Sequence, residues 1–242
     1  MVKIQNLHKT FSQKQVLRGI NLICEKGKST FIIGASGGGK SVLVKHFIGL
    51  LRPDEGTVEV DGVDIAALRG EKLKNLRKRF GYLFQDAALF DSMTVFDNVA
   101  FPLVEHTAKS KNEIKDIVRE KLALVGLTGI ENNLPSELSG GMRKRVGLAR
   151  AIVLDPEIIL YDEPTTGLDP VMSNAIDELI INTTEHLKAT SVVISHDIAS
   201  TFKIADKIAM LYEGTIIEEG TPEEIKNSKH KAVQDFLSRS KL

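Results

Sequence analysis

The stretch STFIIGASGGGKS, residues 29–41, constrains the fold more than any other part of this chain. Residues 29–33 form a largely apolar run typical of a buried strand, and the pattern after the glycines predicts a helix over about 41–51. The segment between them fits G-x-x-x-x-G-K-[ST] at every fixed position. A strand, a glycine-rich loop and a helix in this order predict a phosphate-binding loop in an α/β protein.

The residue types of this segment (34–41, the phosphate loop) suit the binding of a nucleotide. Glycines let backbone N–H groups turn toward phosphate oxygens, and the following helix adds the positive end of its dipole. Lys40 is expected to reach the β- and γ-phosphates, and the Ser41 hydroxyl to bind Mg²⁺. The predicted nucleotide-binding residues of this loop are Gly34, Ala35, Ser36, Gly37, Gly38, Gly39, Lys40 and Ser41.

Other segments alternate between strand-like and helical patterns, which predicts an α/β architecture. Apolar runs at 158–161, 191–195 and 208–212 predict strands, and valines 58, 60 and 63 predict a small antiparallel hairpin. The helical spacing of apolar residues over 111–125 indicates an inserted, largely α-helical subdomain over about 86–156. We expect one domain over residues 1–238, followed by a short tail, 239–242.

Two adjacent carboxylates follow the strand-like run 158–161. Asp162 is expected to hold Mg²⁺, because an acidic residue at such a strand end often binds the metal in proteins with a phosphate loop. Neighbouring residues on a strand point to opposite sides. Glu163 is therefore expected to be available to polarise an attacking water.

Polar side chains also follow two other strand-like runs. His196 comes directly after 191–195, and Gln85 comes directly after 80–84. Active groups of parallel α/β sheets gather at the carboxyl ends of the strands. We therefore expect His196 at the active site, and Gln85 to bind both a metal-bound water and an attacking water.

Composition narrows the classes of partner. Lys and Arg total 32 and Asp and Glu total 32, and this balanced charge argues against a protein that binds nucleic acid. The single cysteine, Cys24, excludes an internal disulfide framework and favours a reducing compartment. The apolar runs are too short to span a bilayer and the start lacks a signal-peptide core, so we expect membrane association through partners only.

The stretch LSGGMRKRV, residues 138–146, allows three interpretations. It could begin a basic helix that grips nucleic acid, it could be a turn beside solvated charges, or it could be half of a phosphate site. Its glycines stand at the start of a predicted helix over 142–154, and such a helix start is suited to anions. The residues alone do not decide among the three.

Taken together, GASGGGKS, Gln85, LSGG, YDEP, GLD and His196 occur in the order and spacing found in the ATPase subunits of ATP-binding-cassette (ABC) transporters. The resemblance covers essentially the whole chain. It implies a P-loop NTPase core with a small antiparallel β subdomain and an inserted α-helical subdomain. It also implies ATP and Mg²⁺ as ligands, and two ATPase subunits that meet head to tail around two ATP molecules.

The resemblance assigns roles to individual residues. Phe11 matches the aromatic residue that stacks on adenine, and Gln85 the loop that senses Mg²⁺ and contacts a membrane partner. Glu163 matches the general base, and His196 the residue that contacts the γ-phosphate. Residues that act across the dimer are Ser139, Gly140 and Gly141, which match contacts to the opposite γ-phosphate, and Asp169 in the interface loop. The Arg143–Arg145 run then becomes a mostly solvated helix face.

A narrower resemblance concerns the substrate. Met142 replaces the usual Gln after LSGG, and together with the stretch FQDAALFDSMTVFDNVAF this is similar to the ATPases of Mla-type phospholipid transport systems. That resemblance implies permease subunits, an MCE-domain protein and a small regulatory subunit as partners, at the cytoplasmic face of the inner membrane of a diderm bacterium. Another ABC importer or exporter, and a soluble ABC ATPase of the iron–sulfur assembly type, stay open.

Two apolar segments are candidates for contacts with partners. The region 84–103 contains four of the ten phenylalanines, some of which are expected to pack the subdomain while others form a groove for a helix of a transmembrane subunit. The last segment places Ile225, Val233, Phe236 and Leu237 at positions suited to packing. The sequence does not decide whether Phe236 and Leu237 pack internally or bind a regulatory subunit.

Overall fold

Strands and helices alternate along the chain as the predicted α/β class requires. The computed structural model describes residues 1–239. The strands are β1 Val2–Phe11, β2 Lys14–Cys24, β3 Ser29–Ile33, β4 Glu55–Val60, β5 Val63–Asp64, β6 Phe80–Leu83, β7 Ile158–Asp162, β8 Thr190–Ile194, β9 Lys207–Tyr212 and β10 Thr215–Gly220. The helices are α1 Lys40–Phe47, α2 Gly70–Arg77, α3 Val95–His106, α4 Lys111–Leu124, α5 Gly140–Ile152, α6 Pro170–Leu187, α7 Ile198–Ile204, α8 Pro222–Lys226 and α9 Lys231–Arg239.

The chain divides into two compact units. The first contains Met1–Arg77 and the residues from Thr190 onward, and the second contains Lys78–Ala189. The first unit holds an antiparallel sheet in the order β2-β1-β4-β5. Its β4–β5 pair, in which Val60 lies opposite Val63, confirms the predicted hairpin.

A second set of strands in the first unit carries the phosphate loop. Strand β3 lies between β8 and β9 and runs parallel to both, while β10 pairs antiparallel with β9. All five residues of β3 are buried, which explains its apolar composition. Because β3 and β8 are parallel and in register, the residues that follow them emerge at the same edge of the sheet.

The second unit combines one strand pair with helices. Strands β6 and β7 run parallel, with Leu83 opposite Tyr161. Helix α5 packs against α3, α4 and β6 and buries Val146, Leu148 and Ile152. Helix α4 begins with a capping box, in which Ser110 and Glu113 satisfy each other's backbone N–H groups.

Several predicted boundaries shift in the structure. Helix α1 ends at Phe47 rather than near residue 51, because Gly49 has a φ of 63° and ends the helical path. Helix α5 covers Gly140–Ile152 rather than 142–154, because its first turn begins directly after the cap residue Ser139. Of the predicted tail, Arg239 is the last residue of α9, and residues 240–242 lie outside the described part of the chain.

The structure of residues 1–239 bears on membrane spanning and on the single cysteine, Cys24. Within residues 1–239, no helix has the length and apolar character needed to cross a bilayer. Cys24 is buried at the end of β2, where burial raises the pKa of its thiol to about 12. At neutral pH this thiol is protonated and shielded from solvent.

Candidate functional site

The phosphate loop owes its shape to glycines whose φ angles other residues rarely adopt. Gly34, Gly37 and Gly39 have φ of 148°, 76° and 102°. A Cβ on Gly34 would overlap the carbonyl oxygen of Leu211 on β9. The loop is closed by the N–H of Gly38, which donates to the carbonyl of Ala35 at 3.2 Å. The backbone path from β3 into α1 therefore depends on these glycines.

Lys40 and Ser41 lie in the first turn of α1. The Lys40 side chain is buried, and its Nζ donates to the carbonyls of Gly34 and Ala35 at 2.8 and 3.0 Å. Ser41 is exposed, as are Ala35, Ser36 and Gly37. The Lys40 ammonium is thus bonded to the backbone of its own loop, while the central residues of the loop are exposed to solvent.

A cavity of about 480 Å³ lies beside the phosphate loop within the first unit. It is lined by Lys14, Gln15, Val16, Arg18, Ala35, Ser36, Gly37, Gly38, Leu211, Tyr212, Glu213 and Gly214. Phe11 ends β1 and is exposed, with the Nζ of Lys9 5.5 Å from its ring centre. Phe11 is not among the lining residues, so the structure places its ring near the solvent rather than in this cavity.

His196 follows β8 and is exposed. The next residue, Asp197, caps helix α7 by accepting a hydrogen bond from the N–H of Ser200 at 3.1 Å. His196 therefore lies in the short link between a buried strand and a capped helix. Since β3 and β8 are parallel neighbours, this link and the phosphate loop emerge at the same sheet edge.

In the second unit, Asp162 and Gln85 stand at the ends of paired strands. Asp162 is the last residue of β7, and Gln85 lies two residues beyond β6, at the same edge of the pair. The hydroxyl of Tyr82 donates to Oδ2 of Asp162 at 3.0 Å. Burial and the charge of Asp162 raise the pKa of Tyr82, so the phenol stays protonated and remains a donor. Gln85 is exposed.

The predicted arrangement of the two carboxylates needs a correction. Strand β7 ends at Asp162, and Glu163 adopts a left-handed conformation with a φ of 50°. The alternation of strand side chains therefore does not apply to Glu163. Its orientation comes from the turn that follows, in which the Thr166 hydroxyl donates to Oε2 of Glu163 at 3.1 Å.

The segment from Asp162 to Asp169, which we call the acidic loop, leads into helix α6. The N–H of Thr166 donates to the carbonyl of Glu163, and Gly167 has a φ of 77°. Asp169 is the cap of α6, and its Oδ1 accepts from the N–H groups of Val171 and Met172 at 2.9 and 3.0 Å. Asp169 thus fixes the end of the acidic loop to a helix start.

Ser139, Gly140 and Gly141 form the start of α5. The Ser139 hydroxyl caps the helix by accepting from the N–H of Met142 at 3.2 Å. Ser139 and Gly140 are exposed, whereas Gly141 is buried. A Cβ on Gly141 would overlap the terminal methyl of Met172 on α6. The glycine therefore leaves room for the end of the Met172 side chain, while Ser139 and Gly140 at the helix start face solvent.

The prediction of a solvated basic face at Arg143–Arg145 is wrong for Lys144. Arg143 is exposed and donates to the carbonyl of Leu138 at 2.7 Å, and Arg145 is half-buried. Lys144 is only 7% exposed, and its Nζ donates to the carbonyls of Pro164 and Thr166 at 2.8 and 2.6 Å. The three residues lie on different sides of α5, so one of them faces inward.

The structure divides the phenylalanine-rich region between the interior and the surface. Val95, Val99 and Leu103 are buried. An aromatic patch, consisting of Phe84, Phe90, Phe101 and Val104, is exposed. The rings of Phe90 and Phe101 lie 5.3 Å apart, and the guanidinium of Arg150 lies 5.9 Å from the Phe90 ring. In the first unit, Ile225, Val233 and Leu237 are buried and Phe236 is half-buried, so most of this C-terminal segment packs internally.

Sequence reasoning missed three residues that shape the site. Tyr82, Lys144 and Thr166 each bond to a predicted catalytic residue or to the acidic loop. A signal for Lys144 was present, because it lies three residues after Gly141 and four before Leu148, both buried on the same side of α5. No pattern in the sequence distinguishes Tyr82 from any other strand residue.

Comparisons with known proteins show the family of the chain. A family model described as ABC transporter matches residues 17–166. The chain is 44% identical over 241 residues to the probable ribonucleotide transport ATP-binding protein mkl of Mycobacterium tuberculosis, covering all of this chain and 67% of the relative. It is also 44% identical to the intermembrane phospholipid transport system ATP-binding protein MlaF of Haemophilus influenzae, covering 98% of this chain and 90% of the relative.

A solved structure shares the fold. The dimeric post-hydrolysis state of an ATP-binding cassette bound to ADP and Pi superimposes with a TM-score of 0.85 at 32% identity, covering 92% of this chain and 99% of the other. The predicted fold class is thereby confirmed. This chain belongs to the ABC transporter family and is an ABC ATPase.

Proposed function

We propose that this chain powers phospholipid transport between the membranes of a diderm bacterium, as the ATP-hydrolysing subunit of an ABC complex. The observation that carries this proposal is the similarity to MlaF, which extends over 98% of this chain and 90% of that relative. Met142 after LSGG and the stretch FQDAALF point the same way. The mkl relative carries a ribonucleotide transport name, so the substrate is the part of the proposal that needs a direct test.

In this proposal the first unit binds the substrate ATP. The phosphate loop, Gly34–Ser41, supplies N–H groups for the phosphates, and Lys40 exchanges its bonds to Gly34 and Ala35 for phosphate oxygens. Phe11 stacks on the adenine and His196 contacts the γ-phosphate. The exposure of Phe11 and His196 leaves both able to meet a ligand from solvent.

The donor types of Ser41, Gln85 and Asp162 fit Mg²⁺. A hydroxyl, an amide oxygen and a single carboxylate are hard oxygen ligands, and Mg²⁺ commonly takes only one or two carboxylates beside phosphate oxygens. In the described part of the chain, no group of three or more His, Cys, Asp or Glu side chains is placed to hold a metal ion. When bound, Mg²⁺ would neutralise charge on the phosphates.

Glu163 is the proposed general base. The hydroxyl of Thr166 holds Oε2 of Glu163, whose backbone is left-handed directly after the end of β7. A carboxylate fixed in this way can orient a water and accept its proton. Gln85 contributes an amide that can orient the same water.

A second copy of the chain completes each site in this proposal. Ser139, Gly140 and Gly141 would contact the γ-phosphate bound by the opposite subunit, and Asp169 would lie in the loop that crosses the interface. The exposed start of α5 suits an anion, because unpaired N–H groups and the helix dipole both point there. ATP would close the dimer, and hydrolysis would reopen it.

The aromatic patch is the proposed contact for a transmembrane permease subunit. Exposed Phe84, Phe90 and Phe101 form a surface that a helix with apolar side chains can cover. An MCE-domain protein and a small regulatory subunit are proposed as further components. The chain would then be held at the cytoplasmic face of the inner membrane by its partners.

Purification from detergent extracts tests this function. We expect wild-type protein to carry integral membrane subunits, and the complex in phospholipid nanodiscs to hydrolyse ATP faster than in detergent. Phe101→Ser is expected to lose the membrane subunits, whereas Val63→Ser, an exposed apolar position of the first unit, is expected to keep them. Absence of any integral membrane partner, or stimulation by ribonucleotides but not by phospholipid, would contradict the proposal.

A further inference from the structure

Lys144 is a buried cation that the established features of the site do not use. It lies on α5, three residues after Gly141, and is 7% exposed. An ammonium group is costly to bury unless it is paired with acceptors. Lys144 meets this requirement with backbone rather than with a salt bridge, since its Nζ donates to the carbonyls of Pro164 and Thr166.

Both acceptors of Lys144 belong to the turn of the acidic loop that the N–H of Thr166 closes onto the carbonyl of Glu163. At 2.8 and 2.6 Å, the two bonds are short and charge-assisted, which makes them stronger than neutral hydrogen bonds. The same turn contains Glu163, whose φ of 50° is unfavourable for a residue with a side chain. Contacts that hold the turn therefore stabilise Glu163 in this conformation.

A continuous set of bonds leads from Lys144 to the carboxylate of Glu163. Lys144 holds the carbonyl of Thr166, and the hydroxyl of the same threonine donates to Oε2 of Glu163 at 3.1 Å. The charges of Glu163 and Asp86 also act on Lys144, where they oppose the lowering of its pKa by burial.

We propose that Lys144 is a positioning residue that fixes the acidic loop so that Glu163 is oriented for water activation. Lys144 lies on α5, whose start, Ser139–Gly141, is proposed to contact the ATP bound by the opposite subunit. The same helix therefore also holds Glu163, the proposed base for the ATP bound by its own subunit. Lys144 thereby links the two sites of a dimer within a single subunit. This inference rests on the proposed role of Glu163 as general base.

The test compares ATP hydrolysis by Lys144→Met, Lys144→Gln and Lys144→Arg in the assembled complex. Met is unbranched, one atom shorter than Lys and without a donor, and we expect kcat to fall about 10- to 100-fold, since a misplaced catalytic group costs this much. The KM for ATP should change less than about threefold, because the phosphate loop is intact. Arg keeps charged donors and should restore kcat to within about fivefold of wild type.

A matched control separates the effect of Lys144→Met on kcat from the effect of removing any lysine of the same unit. Lys115→Met removes an exposed lysine from α4 in the same unit and should leave both kcat and KM unchanged. If Lys144→Met does not fold, the inference predicts that kcat decreases in the order wild type, Lys144→Arg, Lys144→Gln. Equal kcat in Lys144→Gln and wild type would overturn the inference, and so would a rise in KM without a fall in kcat.

Glu163→Gln serves as the reference that separates the two levels of the proposal. If Glu163→Gln loses turnover while the Lys144 variants keep it, the positioning role is wrong and the assigned base stands. If Glu163→Gln hydrolyses ATP at the wild-type rate, the proposed function of Glu163 itself is wrong. A fall in kcat for both, with rescue by Lys144→Arg, supports the positioning role.

Discussion

The phosphate loop and the acidic loop reach their shapes in different ways. The phosphate loop adopts its unusual φ angles at glycines, and its lysine bonds to carbonyls five and six residues away. In the acidic loop, Glu163 has a left-handed φ, and the loop is held by hydrogen bonds from Lys144 on helix α5. The unusual φ angles of the first loop lie at its own glycines, although Gly34 also lies close to Leu211 on β9, while the second loop is held by Lys144 on α5.

This difference predicts how each loop fails. A loop whose shape depends on its own glycines is broken by a single backbone change at one of them. A loop held from outside is sensitive to side chains that never touch the substrate. The following changes test that contrast from the largest expected effect to the smallest.

Gly34→Ala is expected to have the largest effect. The added Cβ would overlap the carbonyl of Leu211, and a φ of 148° is itself unfavourable for alanine. We expect stability to fall by about 3 kcal/mol or more and ATP binding to weaken beyond detection. Thermal unfolding and fluorescent-nucleotide titration measure both.

Gly27→Ala is the matched control for this change. Gly27 also has a positive φ, 72°, but a Cβ there meets nothing within 4 Å. We expect a loss of only about 1 kcal/mol, from the backbone conformation, and normal ATP binding. Equal losses at the two positions would show that the close approach to Leu211 does not define the loop.

Tyr82→Phe is expected to have an intermediate effect, on the acidic loop alone. It removes the hydroxyl that donates to Asp162 and keeps the ring that contacts Phe84 at 4.1 Å. The Mg²⁺ concentration that gives half-maximal ATPase activity should rise about tenfold, because an outer partner of a metal ligand is lost. ATP binding measured without Mg²⁺ should not change. An unchanged Mg²⁺ requirement would show that Tyr82 does not support Asp162 as a metal ligand.

Lys121→Met is expected to have the smallest effect and separates Lys144 from buried lysines in general. Burial disfavours the Lys121 charge, but hydrogen bonds to Asp155 and Glu120 outweigh it and raise its pKa. The variant should lose about 1 kcal/mol of stability, since both carboxylates are largely exposed, and should keep its kcat.

The pH dependence of that loss follows from the raised pKa of Lys121. The contribution is fully present at neutral pH, where the lysine is charged in the folded and unfolded states alike. It disappears as the pH rises through the raised folded value. Unfolding of wild type and variant compared at neutral and strongly alkaline pH measures this. A difference that grows with alkalinity would contradict the assignment.

The same contrast explains what the sequence could predict. The phosphate loop could be placed to the residue because its conformation depends on its own glycines. The residues of the acidic loop could be identified, but the orientation of Glu163 could not, since it depends on Thr166 and Lys144. The Arg143–Arg145 run shows the same limit, because charge suggested exposure while helical spacing placed Lys144 inward. The early end of α1 depends on one left-handed glycine, Gly49.

The most direct test of the central claim is ATP binding and ATP turnover measured side by side for Glu163→Gln. Glutamine keeps the size of the side chain and an oxygen that can accept from Thr166, but it cannot take up a proton at neutral pH. We predict that ATP binding stays within about twofold of wild type while turnover falls more than about a hundredfold. Steady-state hydrolysis at the wild-type rate would contradict the account.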